Sequence, residues 1–353
     1  MSDGARVVVR GANWVGDAVM TVPALRELRR LLPSARLTLA TRAWASGLFA
    51  GADFLDDILT IDDARRGRLR GFAREVRDWR ARRFDLAILF PNAFAPALVA
   101  RAAGVPFRVG HATDGRSSLL THAFPLPEWH GARHESFYYL NVVAELEKLL
   151  TGGSTVERSE PRFDLRADDD ARRAVEETLR ASGARAERPL VALCPGSTNS
   201  RAKRWPAERF AALGDMLAER AGAEVVLVGS EGEREISDEV ARRMRVTPVV
   251  MTGRTTLAET AALLSFADLL VTNDTGPAHL ADALGRPVVV IFGPTNPLTT
   301  RPYSPLAEVV RVPPECAPCM LRDCPIDHRC MTAVTPEDVF ARASRILKGK
   351  KAA

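Results

Sequence analysis

No apolar stretch in this 353-residue chain reaches the roughly 18 residues needed to cross a bilayer. The N-terminus does not pair a basic segment with an apolar one, as an export signal does; it runs straight into Arg6-Val-Val-Val-Arg10. Both absences lead to the expectation of a cytoplasmic protein. Cysteine is scarce, five residues in all, with Cys194 isolated and no secreted disulfide framework. Two nucleotide-binding signatures are also missing. The first strand-like run is followed by Gly11 and Gly16 but not by Gly-x-Gly-x-x-Gly, and no Gly-Lys-Ser/Thr follows to make a Walker A loop. No zinc-finger spacing or aromatic-interleaved basic motif argues for nucleic acid, which ranks last among partners.

What is present is an ordinary globular composition, 46% hydrophobic and 26% charged, in a chain long enough for two cores. The net charge of +5 is unevenly spread: residues 65–83 hold nine arginines against Glu75 and Asp78. Within that run Leu69, Phe72, Val76 and Trp79 recur at spacings of three and four, which predicts an amphipathic helix with a basic face. Such a face is either simply solvated or a dock for an anionic membrane surface.

Apolar runs alternate with helical patterns from end to end. Strands are expected at 6–10, 36–41, 84–90, 190–194, 224–228, 248–251, 269–272 and 287–292. Helices are expected between 16 and 32, after residue 90, at 206–221, near 231 and at 256–266. The alternation argues for α/β domains with parallel sheets. Residues 151–160 lapse into Thr-Gly-Gly-Ser-Thr and charges, a linker zone dividing the chain into domains 1–160 and 161–334. Thr335-Pro336-Glu-Asp338 starts a final helix over 335–353, expected to pack back on the first domain. Ligands of such sheets bind beyond the carboxyl ends of strands.

The stretch Leu269-Leu-Val-Thr-Asn-Asp274-Thr275-Gly276-Pro277-Ala-His279 runs from an apolar strand directly into a helix. Pro277 suits the first helical position, which makes Gly276 the expected N-cap and the turn a candidate anion site. A plain helix cap is the alternative. Cys194-Pro-Gly196-Ser197-Thr198-Asn-Ser-Arg201-Ala-Lys203-Arg204-Trp205 puts small residues, hydroxyls and three cations just past another strand, a loop suited to phosphoryl oxygens. Gly229-Ser230-Glu231 places an acid past a third, where ribose hydroxyls are often held. Asp17, after Gly-Ala-Asn13-Trp-Val-Gly16, is either a helix cap or a carboxylate base.

Together with Val-Val-Val-Ile-Phe-Gly293-Pro-Thr-Asn-Pro, these motifs resemble, in order across nearly the whole chain, the ADP-heptose:lipopolysaccharide heptosyltransferase family. The resemblance implies a GT-B fold of two facing Rossmann-like domains with an inter-domain cleft. It implies inverting transfer of heptose from ADP-heptose, a substrate rather than a cofactor, with no metal. It casts Asp17 as general base and Lys203 as the cation neutralising the donor diphosphate. Asp274, Thr275, Gly276 and His279 would handle diphosphate and heptose, Glu231 the ribose and Thr255 the adenine. The implied acceptor is the first heptose of the inner core, or alternatively Kdo-lipid A. Its anionic groups would be met in the first domain, with Asn13 and Arg116 singled out and Arg10 and Arg42 as further candidates. A nucleotide-sugar epimerase and a non-catalytic ADP-sugar binder are the competing readings.

His134 and Tyr138 are expected to pack rather than face a ligand. Cys316-x2-Cys319-x4-Cys324-x5-Cys330, with His328 nearby, has the density of a metal knuckle but not the paired spacing of a zinc ribbon. No metal is assigned to it.

Overall fold

Valine-rich runs that read as continuously apolar build parallel strands covered on both faces. The computed structural model describes residues 4–61, 68–183 and 187–351. They divide into two units, residues 1–165 and 166–353. In the first, the strands are β1 (Arg6–Arg10), β2 (Arg36–Arg42), β3 (Asp57–Ile61), β4 (Leu86–Leu89), β5 (Phe107–His111) and β6 (His122–Phe124). They form one parallel sheet in the order β3-β2-β1-β4-β5-β6. In the second, β7 (Leu190–Cys194), β8 (Glu224–Leu227), β9 (Val249–Val250), β10 (Leu269–Asn273), β11 (Val288–Ile291) and β12 (Ala307–Val310) form another. Its order is β12-β11-β10-β7-β8-β9.

The two sheets share one topology. In each, the strand order reverses beside the first strand, between β1 and β4 and between β7 and β10. Loops leaving such a pair diverge to opposite faces and open a crevice, so each unit has one favoured ligand position. In register, Val8 lies between Thr38 and Ala87, and Val271 between Leu193 and Val289. The valines of β1 and of β11 are wholly buried.

The expected strands are present, with ends shifted by a residue or two: 84–90 shortens to Leu86–Leu89. Strands β3, β5, β6 and β12 were not anticipated. They carry charged or polar residues such as Asp57, Arg108, His122 and Glu308, and β3, β6 and β12 are edges or edge-adjacent pieces of three to five residues.

The predicted basic helix spans Arg68–Arg82; residues 62–67, including Arg65 and Arg66, lie outside the described residues. Trp79 is buried and Phe72 and Val76 pack against the first unit's core. Leu69 departs from the expected stripe: it is 85% exposed at the helix start. No described helix is long and apolar enough to cross a membrane.

The 151–160 zone is not a free linker. The helix Ser136–Thr151 ends at Gly152, whose φ of +83° closes it. The Glu147 carboxylate then gathers the Ser154 hydroxyl (2.7 Å), the Thr155 N–H (2.7 Å), the Val156 N–H (3.1 Å) and Arg30 (3.0 Å). This anchoring moves the division between units to residue 165. Burial raises the Glu147 pKa, but these donors outweigh it and bring it from 4.5 down to about 2. A depressed carboxylate contributes stability above its unfolded value, lost as pH falls toward the folded one. Glu147→Gln is therefore expected to lower the first unit's stability by roughly 3 kcal/mol at neutral pH. Urea unfolding should show that difference shrinking between pH 4.5 and 2.

The expectation that the final helix packs back on the first domain is corrected. The helix Pro336–Lys351 places Val339, Phe340, Ala343 and Leu347 in the second unit's core with Trp205, Phe210 and Leu217. Its start is as predicted: the Thr335 hydroxyl donates to Asp338 (2.6 Å) and accepts from the Asp338 N–H (3.2 Å).

Candidate functional site

The β7/β10 reversal collects most of the second unit's predicted residues. Lys203 lies in a short 3-10 turn, Arg201–Lys203, after the β7 loop. Its ammonium reaches the Asp274 carboxylate at 2.9 Å and donates to the Asp274 carbonyl at 3.2 Å. Asp274, 4% exposed, also accepts the Thr295 hydroxyl at 2.6 Å from the loop after β11. A cation, a buried anion and a hydroxyl from three strand ends thus share one point.

Beside them, β10 passes into the helix Gly276–Ala283. Thr275, not Gly276, is the N-cap, with φ −143° and ψ 170°, and Pro277 sits at the second helical position. The reason is that the Thr275 hydroxyl turns back to Thr272 (3.2 Å) and the Asn273 carbonyl (3.3 Å), leaving Gly276 to join the helix. No side chain caps the first turn, so this N-terminus keeps the positive potential that suits an anion. His279 is buried within the helix. In the β7 loop Ser197 is buried, with its carbonyl accepting from Arg204 at 3.0 and 3.2 Å, while Thr198 is exposed.

A second cluster forms at the ends of β8 and β9. Glu231 is 72% exposed and forks against Arg234, Oε1 to Nε at 3.1 Å and Oε2 to Nη2 at 3.0 Å. Its carboxylate lies over Gly253, where a Cβ would collide with it and where φ is +71°. Thr255 is in the same turn, its hydroxyl paired with Thr260 at 2.9 Å. Glu231 and the 252–255 turn are therefore neighbours. From β10 to β8 is two strand spacings, about 10 Å, so the two clusters form one shelf along the sheet's carboxyl edge.

Sequence reasoning missed Glu233, Asn273 and Thr295. Glu233 is buried, accepts from the Ser230 N–H and hydroxyl (both 2.8 Å), and fills the space a Gly196 side chain would need. Asn273 is fully buried and bonds across segments. A polar residue ending an otherwise apolar strand was the available signal. Cys194 is no nucleophile: burial pushes its thiol up to about 12.

In the first unit, Asp17 occupies the first turn of the helix Val15–Met20, directly after β1. The N-cap position is taken by Trp14, which makes no side-chain cap bond, and Asp17 stands at the third helical position. Tyr139 stands near it: burial above all, and then the Asp17 charge, hold that phenol well above its ordinary pKa. Asn13 accepts from Arg42 Nε at 3.3 Å and Arg10 Nη2 at 3.4 Å, and Arg10 Nε lies 3.5 Å from Glu75. These groups line the ends of β1 and β2.

Arg116 corrects the expectation of an acceptor contact. It is wholly buried, donating to the carbonyls of His111 (2.9 Å), Pro91 and Ala93 (3.3 Å), an internal brace for the loops after β4 and β5. His134 and Tyr138 pack as expected, His134 against Ser136 (2.8 Å) and Tyr138 against the His111 ring (4.4 Å) with its hydroxyl on Asn92.

The cysteine loop is irregular. Cys316 is exposed, Cys319 and Cys324 are half-buried, and Cys330 enters the second unit's core. Among the described residues no three His, Cys, Asp or Glu side chains are placed to hold a metal. His328 is engaged with the Ala202 carbonyl, and Ala202 N–H donates to the Arg322 carbonyl (2.9 Å), so this loop braces the Lys203 turn.

Residues 72–329 match the family model glycosyltransferase family 9 (heptosyltransferase). Lipopolysaccharide heptosyltransferase 2 of Escherichia coli K12 is 28% identical over 87% of this chain and 88% of its own length. The structure of E. coli ADP-heptose lps heptosyltransferase II superposes with a TM-score of 0.83 at 25% identity, covering 98% of this chain and 99% of that one. A family 9 glycosyltransferase from Veillonella parvula gives 0.87 at 25% identity, covering 99% of each. The α/β class with two Rossmann-like units is the GT-B fold of these structures. With its family model matched over most of its length, this chain belongs to glycosyltransferase family 9, the heptosyltransferases.

Proposed function

We propose that this chain transfers L-glycero-D-manno-heptose from ADP-heptose to the first heptose of the lipopolysaccharide inner core. The observation that carries this reading is the meeting of Lys203, Asp274 and an uncapped helix N-terminus at the β7/β10 reversal in a family 9 glycosyltransferase. The acceptor hydroxyl attacks the anomeric carbon from the face opposite the leaving group, its proton passing to Asp17. The bond from that carbon to the diphosphate oxygen breaks, and ADP departs. Lys203 and the N-terminal end of helix Gly276–Ala283 meet the charge that builds on the diphosphate, so the step needs no metal cofactor. Ser197 and Thr198 border the phosphates, Glu231 takes the ribose hydroxyls, and the Thr255 turn meets adenine. Asn13, between two arginines, faces the acceptor.

The acceptor is a lipid-anchored glycan, so we place the enzyme at the cytoplasmic surface of the inner membrane, peripherally bound. The arginines of helix Arg68–Arg82 and the exposed Leu69 support that placement. The test is mass spectrometry after incubation of ADP-heptose with Kdo-lipid A carrying no heptose or one. Gain of one heptose on the heptose-bearing acceptor alone is expected. Transfer only to the heptose-free acceptor would make it a heptosyltransferase I, and release of an altered free sugar without acceptor an epimerase.

A further inference from the structure

The ladder between β7 and β10 ends at the pair Cys194–Thr272. Beyond it the two backbones part to form the donor shelf, and one side chain continues the pairing. Asn273 Oδ1 accepts the Trp205 N–H at 3.0 Å. Its Nδ2 donates to the Pro195 carbonyl at 2.8 Å and the Gly196 carbonyl at 3.1 Å. With a donor at one end and two carbonyls at the other, only one orientation of the carboxamide satisfies the site.

Each bond ends on a segment of the shelf. Pro195 and Gly196 lead into Ser197 and Thr198, and Trp205 lies two residues beyond Lys203. The residue after Asn273 is Asp274, which holds the Lys203 ammonium. One buried carboxamide therefore ties the β7 loop, the Lys203 turn and the β10 turn at fixed separations. Asn273 is fully enclosed.

We infer that Asn273 is a positioning residue for the donor diphosphate, fixing Lys203 against the 196–198 turn; this rests on the donor reading given above. Its removal leaves three buried backbone groups unpaired and lets both segments drift from Asp274.

The test compares wild type, Asn273→Ala and Asn273→Asp in KM for each substrate and in ADP affinity by calorimetry. Asn273→Ala is expected to raise the ADP-heptose KM and weaken ADP binding by about tenfold or more, with the acceptor KM unchanged. Asn273→Asp adds a signature that a purely structural role would not produce. A protonated carboxyl keeps an acceptor for the Trp205 N–H and one of the carboxamide's two donors for a carbonyl; an ionised one repels both carbonyls. ADP affinity of Asn273→Asp, relative to wild type at the same pH, should therefore recover as pH falls from 8 to 5.5. A fall in Tm with unchanged ADP affinity, equal rises in both KM values, or no pH-dependent recovery would overturn the inference. A wild-type chain that binds ADP but transfers to no acceptor would overturn the functional reading alone.

Discussion

Asp17→Asn is expected to cut turnover by about 10²–10⁴-fold while leaving ADP affinity unchanged. The carboxylate stands in the first turn of helix Val15–Met20, just past β1 and beside the β1/β4 reversal where a ligand of the first unit would lie. Asparagine has nearly the same shape and keeps the helical position, so the substitution removes the carboxylate's charge and its capacity to accept the proton. Trp14 holds the N-cap position, which the substitution leaves unchanged. The nearby Tyr139 cannot take over as base, because burial keeps its phenol protonated far above neutral pH. The shelf proposed for ADP belongs to the other unit, so calorimetry with ADP separates the chemical defect from a folding one. Wild-type turnover in Asp17→Asn would remove the base assignment, and so would a loss of ADP binding in step with activity.

What could be read from the sequence follows burial. β1, β7, β10 and β11 are enclosed on both faces, and their valine and leucine runs announced them. β3 and β12 are sheet edges that tolerate Asp57 and Glu308, so no apolar run marks them. Lys203, Asp274 and Asp17 stand in loops or turns past strand ends, as the residue pattern led one to expect, while the roles proposed for them rest on the family resemblance. Asn273 and Thr295 were not legible, since their partners lie 68 residues from Asn273 at Trp205 and 21 from Thr295 at Asp274. Arg116 shows the converse error. An arginine past a strand reads as an anion contact, and nothing local reveals that carbonyls of residues 91, 93 and 111 enclose it.

Lys203→Ala should lower kcat/KM by about 10²–10³-fold and weaken ADP binding as well. The ammonium lies 2.9 Å from Asp274, and its three donors let it engage a diphosphate from the same place. The substitution has a second cost: it leaves the buried Asp274 carboxylate with the Thr295 hydroxyl but without its cation. Breaking one side of a buried pair typically costs about 3–5 kcal/mol, less here because Lys203 is partly exposed. Combining Lys203→Ala with Asp274→Asn removes that stranded charge, so thermal stability should return toward wild type. Transfer should not return, because the leaving ADP still lacks its cation. Recovery of activity along with stability in the double variant would show that Lys203 serves the fold and not the reaction.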